Sequence, residues 1–280
     1  EVVLRKLDVD ATNHPLDMAE WHDMVERMLK DYDRKVTLGV VGKYVELQDS
    51  YISLTEALRH AAMANEANLD IKWINAELVE EGEIDLEAEL KDVDCILVPG
   101  GFGSKGLEGK ISAIKYAREN KVPFFGICLG MQCAVVEYAR HIGMTGANTT
   151  EANAETAYPV IDILPDQQDV EEKGAMRLGL YPCKVAAGSL TEKAYGEALI
   201  YERHRNRYEV NNAYREELEK NGLVIAGALP NGRLVEIVEL PTDVHPWFMG
   251  VQFHPELKSR PTNPHPLFRD FIAAALKEQK

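Results

Sequence analysis

From Val36 onward, short apolar runs alternate with stretches of helical period. Val36 to Val41 is an apolar run closed by Gly42, which predicts a buried strand. Ser53-Leu54-Thr55-Glu56 has the form of a capping box, and Leu54, Leu58 and Ala61 share one face of the helix it would open. Residues 70–76 predict a second strand. Residues 77–94 are crowded with Glu80, Glu81, Glu83, Glu87 and Glu89, the pattern of a solvated helical face. Cys95 to Val98 predicts a strand that runs into Pro99-Gly100-Gly101. A helix follows over 110–120, an apolar strand over 123–127, and a helix over about 130–141, just after Cys128. The later segments 160–164, 176–186, 223–228, 234–238 and 247–253 read as strands, before a closing helix over 266–277.

Strands that alternate with helices imply parallel pairing. The predicted fold is α/β: an open, mostly parallel twisted sheet with helices on both faces and a smaller antiparallel β extension. Residues 1–35 have a different texture. Asp17 is placed to cap a helix with Trp21, Met24, Val25 and Met28 on one face, but that helix has little of its own to pack on. We read 1–35 as a linker or the remnant of a neighbouring domain, and 36–280 as one folded domain. The opening Glu1-Val2-Val3-Leu4, without Met, fits a piece of a longer protein.

Composition narrows the function classes. Acids outnumber bases 46 to 31, for a formal net charge of -15. A chain this acidic repels phosphate backbones, so no nucleic-acid partner is expected. No apolar run approaches the ~18–20 residues of a membrane span, so no membrane partner is expected either. The four cysteines, Cys95, Cys128, Cys133 and Cys183, match no zinc-ligand spacing and are too few for a disulfide scaffold. Reduced thiols in a cytoplasm are the expectation.

One cysteine stands apart. Gly126-Ile127-Cys128-Leu129-Gly130 places a nucleophile between an apolar strand and a helix, with glycines two positions away on either side. The spacing is that of G-x-S-x-G with sulfur in place of oxygen. Such a turn strains the nucleophile's backbone and needs glycine where chains approach closely. It also brings the sulfur to the first N–H groups of a helix, where the dipole favours negative charge. The N–H of Leu129 is placed to receive a developing oxyanion. The plainer reading is a buried structural cysteine at a strand end, and for Cys95, Cys133 and Cys183, which lack glycine flanks, that reading stands.

A cysteine enzyme needs a base and a group to orient it. Among eight histidines, His254 alone has an apolar strand leading in and an acid two residues on, in Gln252-Phe253-His254-Pro255-Glu256. In an extended segment residues two apart project to the same side, so Glu256 can hold the His254 ring. Pro255 restricts both neighbours. Pro99-Gly100-Gly101-Phe102-Gly103 ends the strand before the nucleophile strand, and we expect Gly101 to supply a second oxyanion donor.

Taken together, PGG at 99–101, GICLGMQ at 126–132 and FHPE at 253–256 resemble the triad-type, class I glutamine amidotransferases. GKYVELQDSY at 42–51, MRLG at 176–179 and ERHRNRYEVNN at 202–212 resemble more narrowly the glutaminase domains of CTP synthases. The resemblance implies that Cys128 attacks the side-chain amide of L-glutamine to give a γ-glutamyl thioester and ammonia, with His254 moving the proton and Glu256 orienting it. It implies that Gly101, Leu129, Gly130, Met131 and Gln132 line the glutamine pocket. Glu151 would pair with the substrate α-ammonium and Arg207 with its α-carboxylate. It implies no cofactor or metal in this domain. A separate synthetase domain of the same full-length chain would hold ATP and Mg²⁺ and aminate UTP to CTP. GTP would act as an allosteric activator, and the full-length enzyme would be a homotetramer. Lys105, Lys173-Gly174-Ala175 and Asn206 depart from the commonest family pattern. A γ-glutamyl peptidase and a catalytically silent regulatory module are the rival readings. The arginines of 202–212 argue against the first, and the intact cysteine, histidine and glutamate against the second.

Overall fold

The computed structural model describes residues 2–9, 17–43, 45–163 and 176–279. Two helices come first, α1 (Val2–Lys6) and α2 (Ala19–Leu29), and neither buries a residue. Asp17 accepts a hydrogen bond from the N–H of Ala19, while Trp21, Val25 and Met28 stay exposed.

The body then begins. β1 (Arg34–Gly42), α3 (Ile52–Ala64) and β2 (Ala67–Asn75) form its first unit. The acidic stretch is two short helices, α4 (Ala76–Glu80) and α5 (Leu86–Leu90). β3 (Cys95–Val98), α6 (Leu107–Asn120), β4 (Phe124–Ile127) and α7 (Leu129–His141) follow. Next come β5 (Asn148–Thr149), β6 (Pro159–Asp162), β7 (Arg177–Val185), α8 (Leu190–Tyr195), β8 (Leu199–Asn206) and β9 (Glu209–Val210). The chain closes through α9 (Asn212–Lys220), β10 (Val224–Ala228), β11 (Val235–Glu239), β12 (Phe248–Val251) and α10 (Pro266–Glu278).

The main sheet has the order β2-β1-β3-β4-β12-β11-β10-β7-β8. The pairings from β2 through β12 are parallel, and those from β12 through β8 are antiparallel. The antiparallel extension thus continues the parallel sheet. A small second sheet has the order β5-β6-β9. Alternation along the strands divides the interior into two cores. Val36, Leu38, Val40, Leu97, Phe125 and Ile127 pack under α3 and α10, whereas Val41, Ile96, Val98 and Phe124 pack under α6 and α7. Side chains of period two pointing to opposite faces, each covered by helices, are what an α/β sheet demands.

Three local expectations change. The Ser53 capping box does not form: a 3₁₀ turn over Gln48–Tyr51 runs straight into α3, so Ser53 lies inside the helix and Tyr51 is the residue before it. The strand expected over 70–76 starts earlier, at Ala67, because β2 pairs with β1 over its whole length. β8, α8 and α9 carry no apolar run of their own and emerge only in three dimensions. The strand expected over 160–164 is β6, and its last residue lies outside the described residues, as does Lys173-Gly174-Ala175.

Candidate active site

Four parallel strands release their loops at one edge of the sheet. Tyr51 follows β1, Gly100 follows β3, Cys128 follows β4 and His254 follows β12. Ligands of open α/β sheets bind at this carboxyl edge, where the strand order reverses direction. Here β1 has β2 on one side and β3 on the other.

Cys128 joins β4 to α7 with φ 52° and ψ -103°, a left-handed backbone on a non-glycine residue. Holding such a conformation costs about 1–3 kcal/mol and needs support from its surroundings. The support is visible: the Cys128 N–H donates to Val251 O at 2.7 Å, and its carbonyl accepts from the Gln132 N–H at 3.1 Å. The flanking glycines are there for close approach. A Cβ on Gly126 would lie 2.7 Å from the Gly130 carbonyl, and one on Gly130 would lie 2.1 Å from the Val98 carbonyl oxygen.

His254 donates its backbone N–H to Arg203 O at 2.7 Å. Its Nδ1 sits 2.7 Å from Glu256 Oε1. The strand has ended by then. Pro255 opens a 3₁₀ turn over Pro255–Leu257, so the pair closes across that turn and not along an extended segment as expected. Nε2 is buried and makes no hydrogen bond. Burial opposes charge on the ring, but the neighbouring Cys128 and Glu256 outweigh it and push the imidazole up to about 10. Gly100 makes room for it, since a Cβ there would lie 2.8 Å from His254 Cε1.

These groups share one cavity of about 470 Å³, lined among others by Tyr51, Gly101, Phe102, Cys128, Arg205 and His254. The Arg205 guanidinium stacks over the Phe102 ring at 5.3 Å. The other cysteines are closed away. All are buried, and burial raises their thiols, that of Cys133 up to about 12.

Residues 46–274 match the family model described as glutamine amidotransferase class-I. The CTP synthase of Clostridium kluyveri is 56% identical over 280 residues, 99% of this chain and 51% of that protein. The CTP synthase of Carboxydothermus hydrogenoformans is 54% identical over 282 residues, 100% of this chain and 51% of that protein. Among solved structures, the Trypanosoma brucei CTPS glutaminase domain with bound acivicin superposes with a TM-score of 0.79 at 39% identity, covering 88% of this chain and 95% of that one. The chain belongs to the class I glutamine amidotransferases, with the glutaminase domains of CTP synthases. It spans about half the length of the curated relatives it matches.

Within this glutaminase domain the remaining family positions are distributed as follows. Gly101 lines the cavity, and an added Cβ on it would meet Leu129 Cδ2 at 3.4 Å. Gly130 is the contact with β3 already described. The Met131 side chain is fully buried against Gly250 of β12. Gln132 is buried and donates to Tyr208 O at 3.0 Å. Glu151 follows β5 and accepts from the Gly103 N–H at 2.9 Å, which ties the small sheet to the glycine loop. Arg207 is exposed and outside the cavity lining; the arginine that lines the cavity is Arg205. Tyr51, Arg205 and Gln252 carry site contacts that sequence reasoning did not single out. Arg205 and Gln252 lie within the quoted motifs, each next to or two residues from an assigned position, and that adjacency was the available signal.

Proposed function

We propose that this domain hydrolyses L-glutamine through a Cys128 thioester and passes the ammonia to a synthetase domain. In the first step Cys128 Sγ attacks the substrate amide carbon while its proton resides on His254 Nε2. Collapse of the tetrahedral adduct breaks the C–N bond, and His254 gives its proton to the departing nitrogen, releasing ammonia. Water then attacks the thioester, its proton passing to His254, and glutamate leaves as the sulfur departs. Glu256 holds the ring in the tautomer that faces the cavity. Gly101 and the N–H of Leu129 supply the oxyanion donors; Glu151 and Arg207, both outside the cavity lining, would have to turn toward the bound substrate to meet the two charges of its backbone.

Residues 36–280 act as the glutaminase unit and 1–35 as the connection to the synthetase domain. That domain would supply ATP- and Mg²⁺-dependent amination of UTP to CTP in a cytoplasmic homotetramer, with GTP as activator. Among the described residues no helix is long and apolar enough to cross a membrane. The observation that carries the reading is the left-handed Cys128 at the head of α7, sharing a cavity with the His254–Glu256 pair. Mass spectrometry after treatment with a glutamine-mimicking diazoketone tests it. One adduct is expected, on Cys128, blocked by excess glutamine. An adduct on another cysteine, or none, overturns the mechanism.

A further inference from the structure

Near the nucleophile, and outside the cavity lining, lie two buried amides that the reaction as written does not use. Gln252 precedes His254 by two residues and is fully buried, and it is absent from the cavity lining. Its Nε2 lies 3.6 Å from Cys128 Sγ. Its Oε1 lies 3.2 Å from Gln132 Nε2, which also reaches Tyr208 O at 3.0 Å.

The backbone dictates which way both amides face. The Tyr208 carbonyl can only accept, so Gln132 must present Nε2 to it. That same Nε2 meets Gln252, which must answer with its oxygen. The Gln252 NH₂ is then turned onto the sulfur. A chain of three hydrogen bonds thus fixes a donor against Sγ, starting from a carbonyl in the loop that carries Arg207. The Gln252 backbone is pinned as well, its N–H donating to Glu236 O at 2.8 Å.

Two polar groups therefore face Sγ with opposite preferences. The Arg205 carbonyl lies 3.8 Å away and accepts a hydrogen bond from the thiol. The Gln252 NH₂ can only give a hydrogen bond, which is strongest to a charged sulfur. Two amides buried in an apolar interior cost stability unless their bonds are made, and these make theirs on the reacting atom.

We propose that Gln252 is a further catalytic residue: it donates to Cys128 Sγ, favours the thiolate, and aims the sulfur, with Gln132 as the positioning residue that orients it. The proposal rests on Cys128 being the nucleophile. In the second step the same donor stabilises sulfur as it leaves the thioester carbon, so it contributes to both halves of the reaction. No bond to Gln252 is made or broken.

Gln252→Met keeps the length and removes the donor. The titratable and charged groups that share the cavity with Cys128 are Tyr51, Arg205, His254 and Glu256, and all stay in place. The expected result is an iodoacetamide alkylation rate of Cys128 about tenfold lower at neutral pH, the loss of a charge-assisted hydrogen bond. The midpoint of the alkylation pH profile should move upward, and kcat for glutamine should fall with KM unchanged. Gln132→Met should show the same shift, smaller, because the donor remains but is free to turn. An unchanged alkylation profile in a folded Gln252→Met protein overturns the proposal. Should that variant not fold, the side-chain amide resonances of Gln252 in the wild-type protein decide it. They should move when Cys128 is alkylated, and resonances that stay still overturn the proposal equally. Failure of the underlying reading looks different: wild-type Cys128 would then not react with the diazoketone at all.

Discussion

Two histidine–glutamate pairs adjoin β8, one half-buried and one fully buried, and their surroundings differ. His254 and Glu256 meet at 2.7 Å and belong to one tight turn. One ring nitrogen is held and the other faces a cavity. His204 and Glu236 meet at 2.6 Å from strands far apart in sequence, and both side chains are entirely buried. There Nδ1 is 3.0 Å from Glu202 O as well, so neither nitrogen is free. Glu236 also binds Arg177 at 2.7 Å, and Arg177 binds Glu209 at 2.7 Å. An imidazole does chemistry when one nitrogen is left for a substrate or nucleophile. When both are bound it is a strut. Here the strut holds β8 in place, and β8 supplies the Arg203 carbonyl that anchors His254.

The largest expected separation comes from removing each ring. His254→Ala should lower kcat/KM for glutamine by about 10²–10⁴, with the loss of activity far exceeding what its change in stability explains. His204→Ala should do the reverse, costing stability first and activity only as β8 loosens. Arg177→Met tests the strut harder. It leaves Glu209 and Glu236 buried without their cation, and denaturant titration should show a loss of about 3–5 kcal/mol. Glu256→Gln keeps the volume beside His254 but removes the charge. We expect kcat to fall by at least about 10², because tautomer and orientation are lost together.

The smallest effects are in the pH dependence of stability. His254 is raised from 6.5 to about 10 in the folded state, with burial opposed by the neighbouring Cys128 and Glu256. Its contribution is therefore complete below about 6.5 and is lost as pH rises through about 10. Chemical denaturation at both ends of that window should show wild type and Glu256→Gln converging at the alkaline end. His245 behaves oppositely. Burial lowers it from 6.5 to about 4, so its contribution is present above 6.5 and is lost as pH falls towards 4. His245→Asn should flatten the acid limb only.

The parallel half of the sheet was legible because its signals are local. Val36–Val41, Cys95–Val98 and Phe124–Ile127 are apolar runs long enough for a strand buried on both faces, each followed by a glycine-bearing turn or a helix. β8 was not legible because its pattern is inverted. Its buried positions are Ile200, Glu202, His204 and Asn206, while Leu199 and Tyr201 face outward. Polar residues can fill a buried face only when partners meet them. Those partners are Tyr195, Lys258 and His265 for Glu202, and Glu236 for His204, all distant in sequence except Tyr195. α9 was missed for a simpler reason: it buries only Leu218 and is mostly polar or charged.

The candidate site divides the same way. Cys128 with its glycines, and His254 with Glu256, could be named from residues within four positions of one another, since strand–turn–helix geometry and a short turn are set by neighbouring backbone angles. The sequence by itself singled out Cys128, His254 and Glu256 as candidates and determined the α/β alternation that delivers them to one sheet edge. Only the tertiary structure decided that Gly100 makes space for the His254 ring and that Arg205 lines the cavity while Arg207 does not. It also decided that Gln252 faces the sulfur. The physical reason is the range of the forces. Backbone sterics and hydrophobic period act over a few residues and can be read along the chain. The direction of a buried hydrogen bond depends on which donor and acceptor the fold brings together, and that is settled only when distant strands meet.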